Sequence, residues 1–172
     1  MIYKNYTNVF TVCTYSYLNL ALVAMKSFTE NNHTSRNFIF VIDAGFEAIS
    51  YLNNHNISRS LEIIFFGVDQ LSKNYKSIFT KASSYFDSME LCSLAKYIGT
   101  DHILSSIENS NLCTYIDADT FFLSSIKKSL EFLKDKSLLV TPHYVEPAYT
   151  KSQLLCLRSG WINSGFLIFN RE

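Results

Sequence analysis

The sequence predicts an α/β fold, a mostly parallel sheet covered by helices on both faces. Three observations predict it. Short apolar runs alternate with helical patterns along the chain, as βαβ units require. The runs are continuously apolar, which suits strands buried on both faces. Acidic residues stand just beyond the ends of several runs, where open α/β sheets collect their ligands.

The elements follow in order. Residues 9–13 (VFTVC) are short and β-rich. Leu18, Ala21, Leu22, Met25 and Phe28 then recur at helical spacing, with Ser16 placed to cap them. Residues 38–42 form a second strand, which ends at Asp43, Ala44 and Gly45. Residues 61–66 form a third. Asp87 opens a helix with Glu90 three positions on, the capping-box spacing, ahead of the stripe Leu91, Leu94, Ala95 and Ile98. Residues 112–116 form a fourth strand and run into Asp117. Ser124 or Ser125 caps a further helix carrying Ile126, Leu130 and Leu133. Residues 138–140 and 165–169 give the last two strands.

Composition narrows the function. Of 172 residues, 48% are hydrophobic and 17% charged, so the chain builds a core. No repeat, low-complexity tract or linker divides it, and one domain over 1–172 is expected. Lys plus Arg equals Asp plus Glu at 15 each, which gives no general pull toward nucleic acid. Cys13, Cys92, Cys113 and Cys156 are far apart, without a C-x-x-C pair, and read as reduced thiols and not as a zinc site. Residues 9–28 are broken by Thr11, Thr14, Ser16, Asn19 and Lys26, so neither a membrane span nor a secretory signal is expected. The expectation is a cytoplasmic protein, or one that only touches a membrane.

The chemistry concentrates in TYIDADTFFL, residues 114–123. Asp117 and Asp119 follow a buried strand, and two charges there are costly unless paired or bound to a metal. In extended chain, positions i and i+2 point the same way, so both carboxylates would face one point, with Ala118 opposite. A divalent cation relieves their repulsion, and magnesium or manganese favours carboxylate and phosphate oxygen. Asp also frequents turns and helix caps, so spacing alone leaves both readings open.

Four passages give the pattern wider context. VFTVCTYSYLNLALVAMKS, DSMELCSLAK, TYIDADTFFLSSI and WINSGFLIFNRE occur in that order and span nearly the full chain. Together, with TPHYVEP at 141–147, they resemble the nucleotide-sugar-dependent glycosyltransferases of the GT-A fold, in the glycogenin and bacterial galactosyltransferase-like group. The resemblance implies a GT-A-like, Rossmann-related sheet. It implies transfer of a sugar from a UDP-linked donor to a glycan or lipid-linked acceptor, leaning toward retention of configuration. Asp117 and Asp119 would hold Mn2+ or Mg2+ against the donor's diphosphate. Thr14 and Tyr15 would meet the base and ribose, where the family carries acidic or amide side chains. Lys96 would lie near the donor phosphates or sugar. Asn163, Ser164 and Gly165 would line the donor sugar and acceptor side.

Each position has a structural alternative. Lys96 could be solvated on its helix, Thr14 could satisfy backbone at a strand end, and Asn163 and Ser164 could form a turn. His143 reads as an ordinary loop histidine. Trp161 would pack in the core or an interface, or stack on a sugar. A haloacid-dehalogenase-like phosphatase also uses D-x-D after a strand, but needs Thr or Val at the fifth position, which here is Phe121. The family's members usually continue beyond this last strand, so a truncated chain, or a donor-binding module without full transferase activity, is the other alternative.

Overall fold

The computed structural model describes residues 7–55, 61–106, 111–133, 136–143 and 160–171. Their strands are β1 (Thr7–Cys13), β2 (Thr34–Val41), β3 (Ile63–Phe66), β4 (Leu112–Ile116), β5 (Leu138–Pro142) and β6 (Ile162–Asn170). All six form one sheet in the order β3-β2-β1-β4-β6-β5. β1 pairs in parallel with β2 and β4, and β2 with β3. β6 runs antiparallel to both β4 and β5. The sheet is thus mixed at one side, as a mostly parallel sheet allows.

The helices are α1 (Leu18–Asn31), α2 (Phe46–His55), α3 (Lys73–Ala82), α4 (Ser88–Ser106) and α5 (Lys127–Glu131). Strand alternation divides the core into two layers. Val9, Ile39, Val41 and Ile116 pack with Ala21, Met25 and Phe28 of α1 and Ile49 and Leu52 of α2. Phe10, Phe38, Phe40, Cys113 and Tyr115 point the other way, onto Phe79 of α3 and Ala95, Ile98 and Ile103 of α4. Helices therefore cover both faces, as expected. Gly99 sets the depth of α4: a Cβ there would lie 2.9 Å from Cε2 of Phe10.

Local signals explain most boundaries. The capping box at α4 forms in full: Glu90 N–H donates to Asp87 Oδ1 at 2.9 Å, and Asp87 N–H to Glu90 Oε2 at 3.0 Å. Ser16 does not cap α1. A short 3-10 turn, Tyr15–Tyr17, precedes the helix, and the Ser16 hydroxyl bonds that of Thr14 at 2.9 Å. At α5, Ser125 Oγ accepts from Lys127 N–H at 3.2 Å, while Asn32 Oδ1 accepts from Ile126 N–H at 2.8 Å. Asn163 and Ser164 belong to β6 and not to a turn before it. The β5–β6 register jumps between Val140 and Thr141, so that Val140 faces Leu167 and Thr141 faces Asn163. This leaves a bulge at 164–166, a device that re-aims groups beside functional sites.

Most of the TPHYVEP passage and Cys156 lie outside the described residues. No helix among the described residues is long and apolar enough to cross a membrane.

Candidate functional site

The ends of β1, β2 and β4 and the start of β6 meet at one edge of the sheet, because β6 runs against β4. Ile116 pairs with Phe166, and Asp117 N–H extends the ladder by donating to the Gly165 carbonyl at 2.8 Å. Beyond it the chain turns. Thr120 N–H donates to the Asp117 carbonyl at 3.1 Å, closing a turn over Ala118 and Asp119. The extended geometry expected for the two acids is therefore corrected: Asp119 sits on an exposed turn and not on a strand face. Strands disfavour Asp, whereas turns accept it readily.

Asp117 belongs to a buried polar cluster. Period-two alternation directs Cys113 and Tyr115 toward α4, and Asp117 follows them. The Tyr115 hydroxyl donates to Asp117 Oδ1 at 2.5 Å. Lys96 Nζ lies 3.1 Å from the same oxygen. Lys96 is only 7% exposed, so it is not a solvated helix residue. Its ammonium also donates to Ser164 Oγ at 3.1 Å and to the Ser164 carbonyl at 3.3 Å, and it stands 4.8 Å from the Tyr115 ring centre. Bonds in several directions are what a buried ammonium needs. Burial, followed by the nearby Asp117 carboxylate, holds the Tyr115 phenol far above its ordinary range, and Asp119 adds to this.

The other Asp117 oxygen has different surroundings. A Cβ at Gly165 would stand 2.8 Å from Asp117 Oδ2 and 3.0 Å from Asn163 Oδ1. The two oxygens thus occupy the space that a side chain at 165 would take, which only glycine allows. Asn163 Oδ1 accepts from Gly165 N–H at 2.8 Å, which holds that side chain against the glycine.

A cleft of about 550 Å³ lies alongside, lined in part by Thr14, Tyr17, Asp43, Met89, Cys92 and Ala118. Tyr15 N–H donates to Asp43 Oδ1 at 2.7 Å, and Ile42 N–H to the Cys13 carbonyl at 3.0 Å, so β2 props the loop after β1. Burial pushes the Cys13 thiol up to about 12. Burial also raises Cys92, against the opposing pull of Lys96. The described cysteines are free thiols, as expected.

Of the expected site residues, the structure gathers Asp117, Lys96, Asn163, Ser164 and Gly165 into one cluster. Thr14 lines the adjoining cleft together with Ala118 and Cys92, while Tyr15 is absent from its lining and meets it only through the bond of its N–H to Asp43. Lys96 contacts acid and backbone groups. His143 is bound to backbone, its ring nitrogen Nδ1 2.8 Å from the Gly160 carbonyl. Trp161 is 60% exposed, which corrects the expectation of core packing. Sequence reasoning missed Tyr115 and noticed Asp43 only as a strand-end acid. Tyr115 stands two positions before Asp117 on the same strand face, so the period of two was the available signal.

No protein-family model and no curated protein sequence matches the chain. Solved structures of the same shape are found. The galactosyltransferase LgtC, in complex with donor and acceptor sugar analogs, superimposes with a TM-score of 0.62 at 15% identity, over 95% of this chain and 58% of that one. Mouse xyloside xylosyltransferase 1 gives 0.55 at 14% identity, over 96% and 67%. The glycosyltransferase GlyE of Streptococcus pneumoniae TIGR4 gives 0.54 at 15% identity, over 95% and 33%. The chain thus spans 58% of LgtC and a third of GlyE. The fold is that of the GT-A nucleotide-sugar glycosyltransferases. Nothing in these neighbours favours the phosphatase alternative.

Proposed function

We propose that this chain binds a nucleoside-diphosphate sugar, UDP-linked, and transfers the sugar to a glycan or lipid-linked acceptor with the help of Mn2+ or Mg2+. One observation carries the proposal. The Asp117 carboxylate gives Oδ1 to Tyr115 and Lys96 and leaves Oδ2, which rests against Gly165, free of both donors, beside a cleft of about 550 Å³ at the carboxyl edge of a GT-A sheet. Ligands of open α/β sheets bind at such an edge.

The residues fit a hard divalent cation. Asp117 and Asp119 offer carboxylate oxygen. Among the described residues no group of three His, Cys, Asp or Glu side chains stands together. Two carboxylates plus substrate phosphates is a coordination pattern that magnesium accepts. When bound, the cation supplies Lewis-acid stabilisation of the departing diphosphate.

The chain's own residues do the rest. Thr14 and Tyr15, held through Asp43, line the place of the nucleoside. Lys96 adds fixed positive charge beneath the diphosphate position, where a preorganised cation stabilises developing negative charge. The backbone at Gly165 lets a sugar approach closely, and Asn163 and Ser164 border it.

The test is a calorimetric titration of UDP with and without manganese, followed by an assay of UDP release from UDP-sugars. Manganese-dependent binding with release is the expected result. Binding without release would make the chain a donor-binding module, and no binding at all would end the proposal.

A further inference from the structure

The two oxygens of Asp117 are treated differently by their neighbours. Oδ1 takes both protein donors, the Tyr115 hydroxyl at 2.5 Å and the Lys96 ammonium at 3.1 Å. Oδ2 rests against Gly165, where a Cβ would lie 2.8 Å from it, and takes neither of these donors. Tyr115 has little freedom of its own. It is 1% exposed, meets the Phe10 ring edge-on at 5.0 Å between centres, and lies under the Lys96 ammonium.

A carboxylate turns easily about its last side-chain torsion, which is broad and two-fold. An acid held at neither oxygen would sample orientations that present either oxygen, or both, to a ligand. Two donors converging on one oxygen remove that freedom before any ligand arrives. Such supporting hydrogen bonds orient ligating carboxylates and change metal affinity when lost.

We infer that Tyr115 is a positioning residue: with Lys96 it locks Oδ1 of Asp117, so that Oδ2 alone is offered to a cation–diphosphate pair. The inference rests on the function proposed above. It assigns the hydroxyl a purpose that packing does not require, since phenylalanine would fill the same space.

The experiment is a manganese titration with UDP present, followed by the electron paramagnetic resonance signal of free manganese, on the wild type, Tyr115→Phe and Gly165→Ala. Metal-free UDP binding and thermal melting are measured on the same samples. Tyr115→Phe is expected to lose ~10–100-fold in manganese affinity, with metal-free UDP binding unchanged and melting still cooperative. Gly165→Ala is expected to lose at least as much, because its methyl group would crowd Oδ2. Unchanged manganese affinity in Tyr115→Phe overturns the inference while the proposed function stands. An equal loss of metal-free UDP binding, or loss of cooperative melting, makes the hydroxyl structural and overturns it too. Full manganese affinity in Gly165→Ala overturns the assignment of Oδ2. A wild type that takes up neither manganese nor UDP sinks the proposed function, and this inference with it.

Discussion

Lys96 Nζ sits 3.1 Å from Asp117 Oδ1 and 3.1 Å from Ser164 Oγ, joining α4, the end of β4 and the bulge of β6 in one ion-paired cluster. The lysine is buried, while the Asp117 side chain keeps 36% of its exposure, so water screens the pair in part.

Removing the lysine should therefore act on both stability and ligand. Lys96→Ala is expected to cost about 2 kcal/mol, below the range for breaking a fully buried pair. The same variant should weaken UDP more than uridine if the ammonium, paired with Asp117, serves the diphosphate as proposed. Chemical denaturation and paired calorimetric titrations check both. Equal losses for UDP and uridine would leave the lysine a purely structural role.

Asp119 offers the cleaner separation of ligand from fold. It stands on an exposed turn, so Asp119→Ala should change stability by less than about 0.5 kcal/mol. Manganese-dependent UDP binding should vanish. A variant that retained that binding would remove Asp119 from the metal site.

Gly99 tests the packing that brings α4 to the sheet. Gly99→Ala places a methyl group 2.9 Å from Phe10, and overpacking of this kind costs typically about 1–3 kcal/mol. Phe10→Leu in the same chain should recover part of the loss. Urea melts of the two single variants and the double variant measure the coupling. Strict additivity would show that the helix is not seated by this contact.

Alkaline stability should report on Cys13. Its thiol is raised from an ordinary 9.0 to about 12, chiefly by burial. The folded chain thus keeps a proton that the unfolded chain releases. The stability so contributed is fully present below pH 9 and is lost as pH rises toward 12. Each such proton is worth about 1.4 kcal/mol per pH unit inside that window. Melting temperatures of Cys13→Ala should fall less steeply above pH 9 than those of the wild type. Parallel slopes would mean that Cys13 is not the titrating group.

Much of the architecture was legible because burial wrote it in apolar runs. The six strands and the helices α1, α4 and α5 coincide with such runs or with capping residues. Two helices were not. α2 buries only Ile49 and Leu52, whereas α3 carries a helical stripe, Tyr75, Ile78, Phe79 and Ala82, that sequence reasoning missed. The expectation for Asp117 and Asp119 assumed extended chain, whereas the pairing of Asp117 with Gly165 ends the ladder and the chain turns at once. Ser16 failed as a cap because its hydroxyl bonds the neighbouring Thr14 instead. The company of Lys96 was illegible for another reason. Ser164 lies 68 positions away, and no local pattern reports that β6 returns antiparallel.

That return has a consequence for the order of assembly. The parallel strands β1 to β4 are in place early in the chain, but the wall formed by Asn163, Ser164 and Gly165 arrives only with β6. On the ribosome, the first strands can pair while Ser164, the partner of Lys96, is still unsynthesised. Closing so distant a contact is slow relative to local pairing.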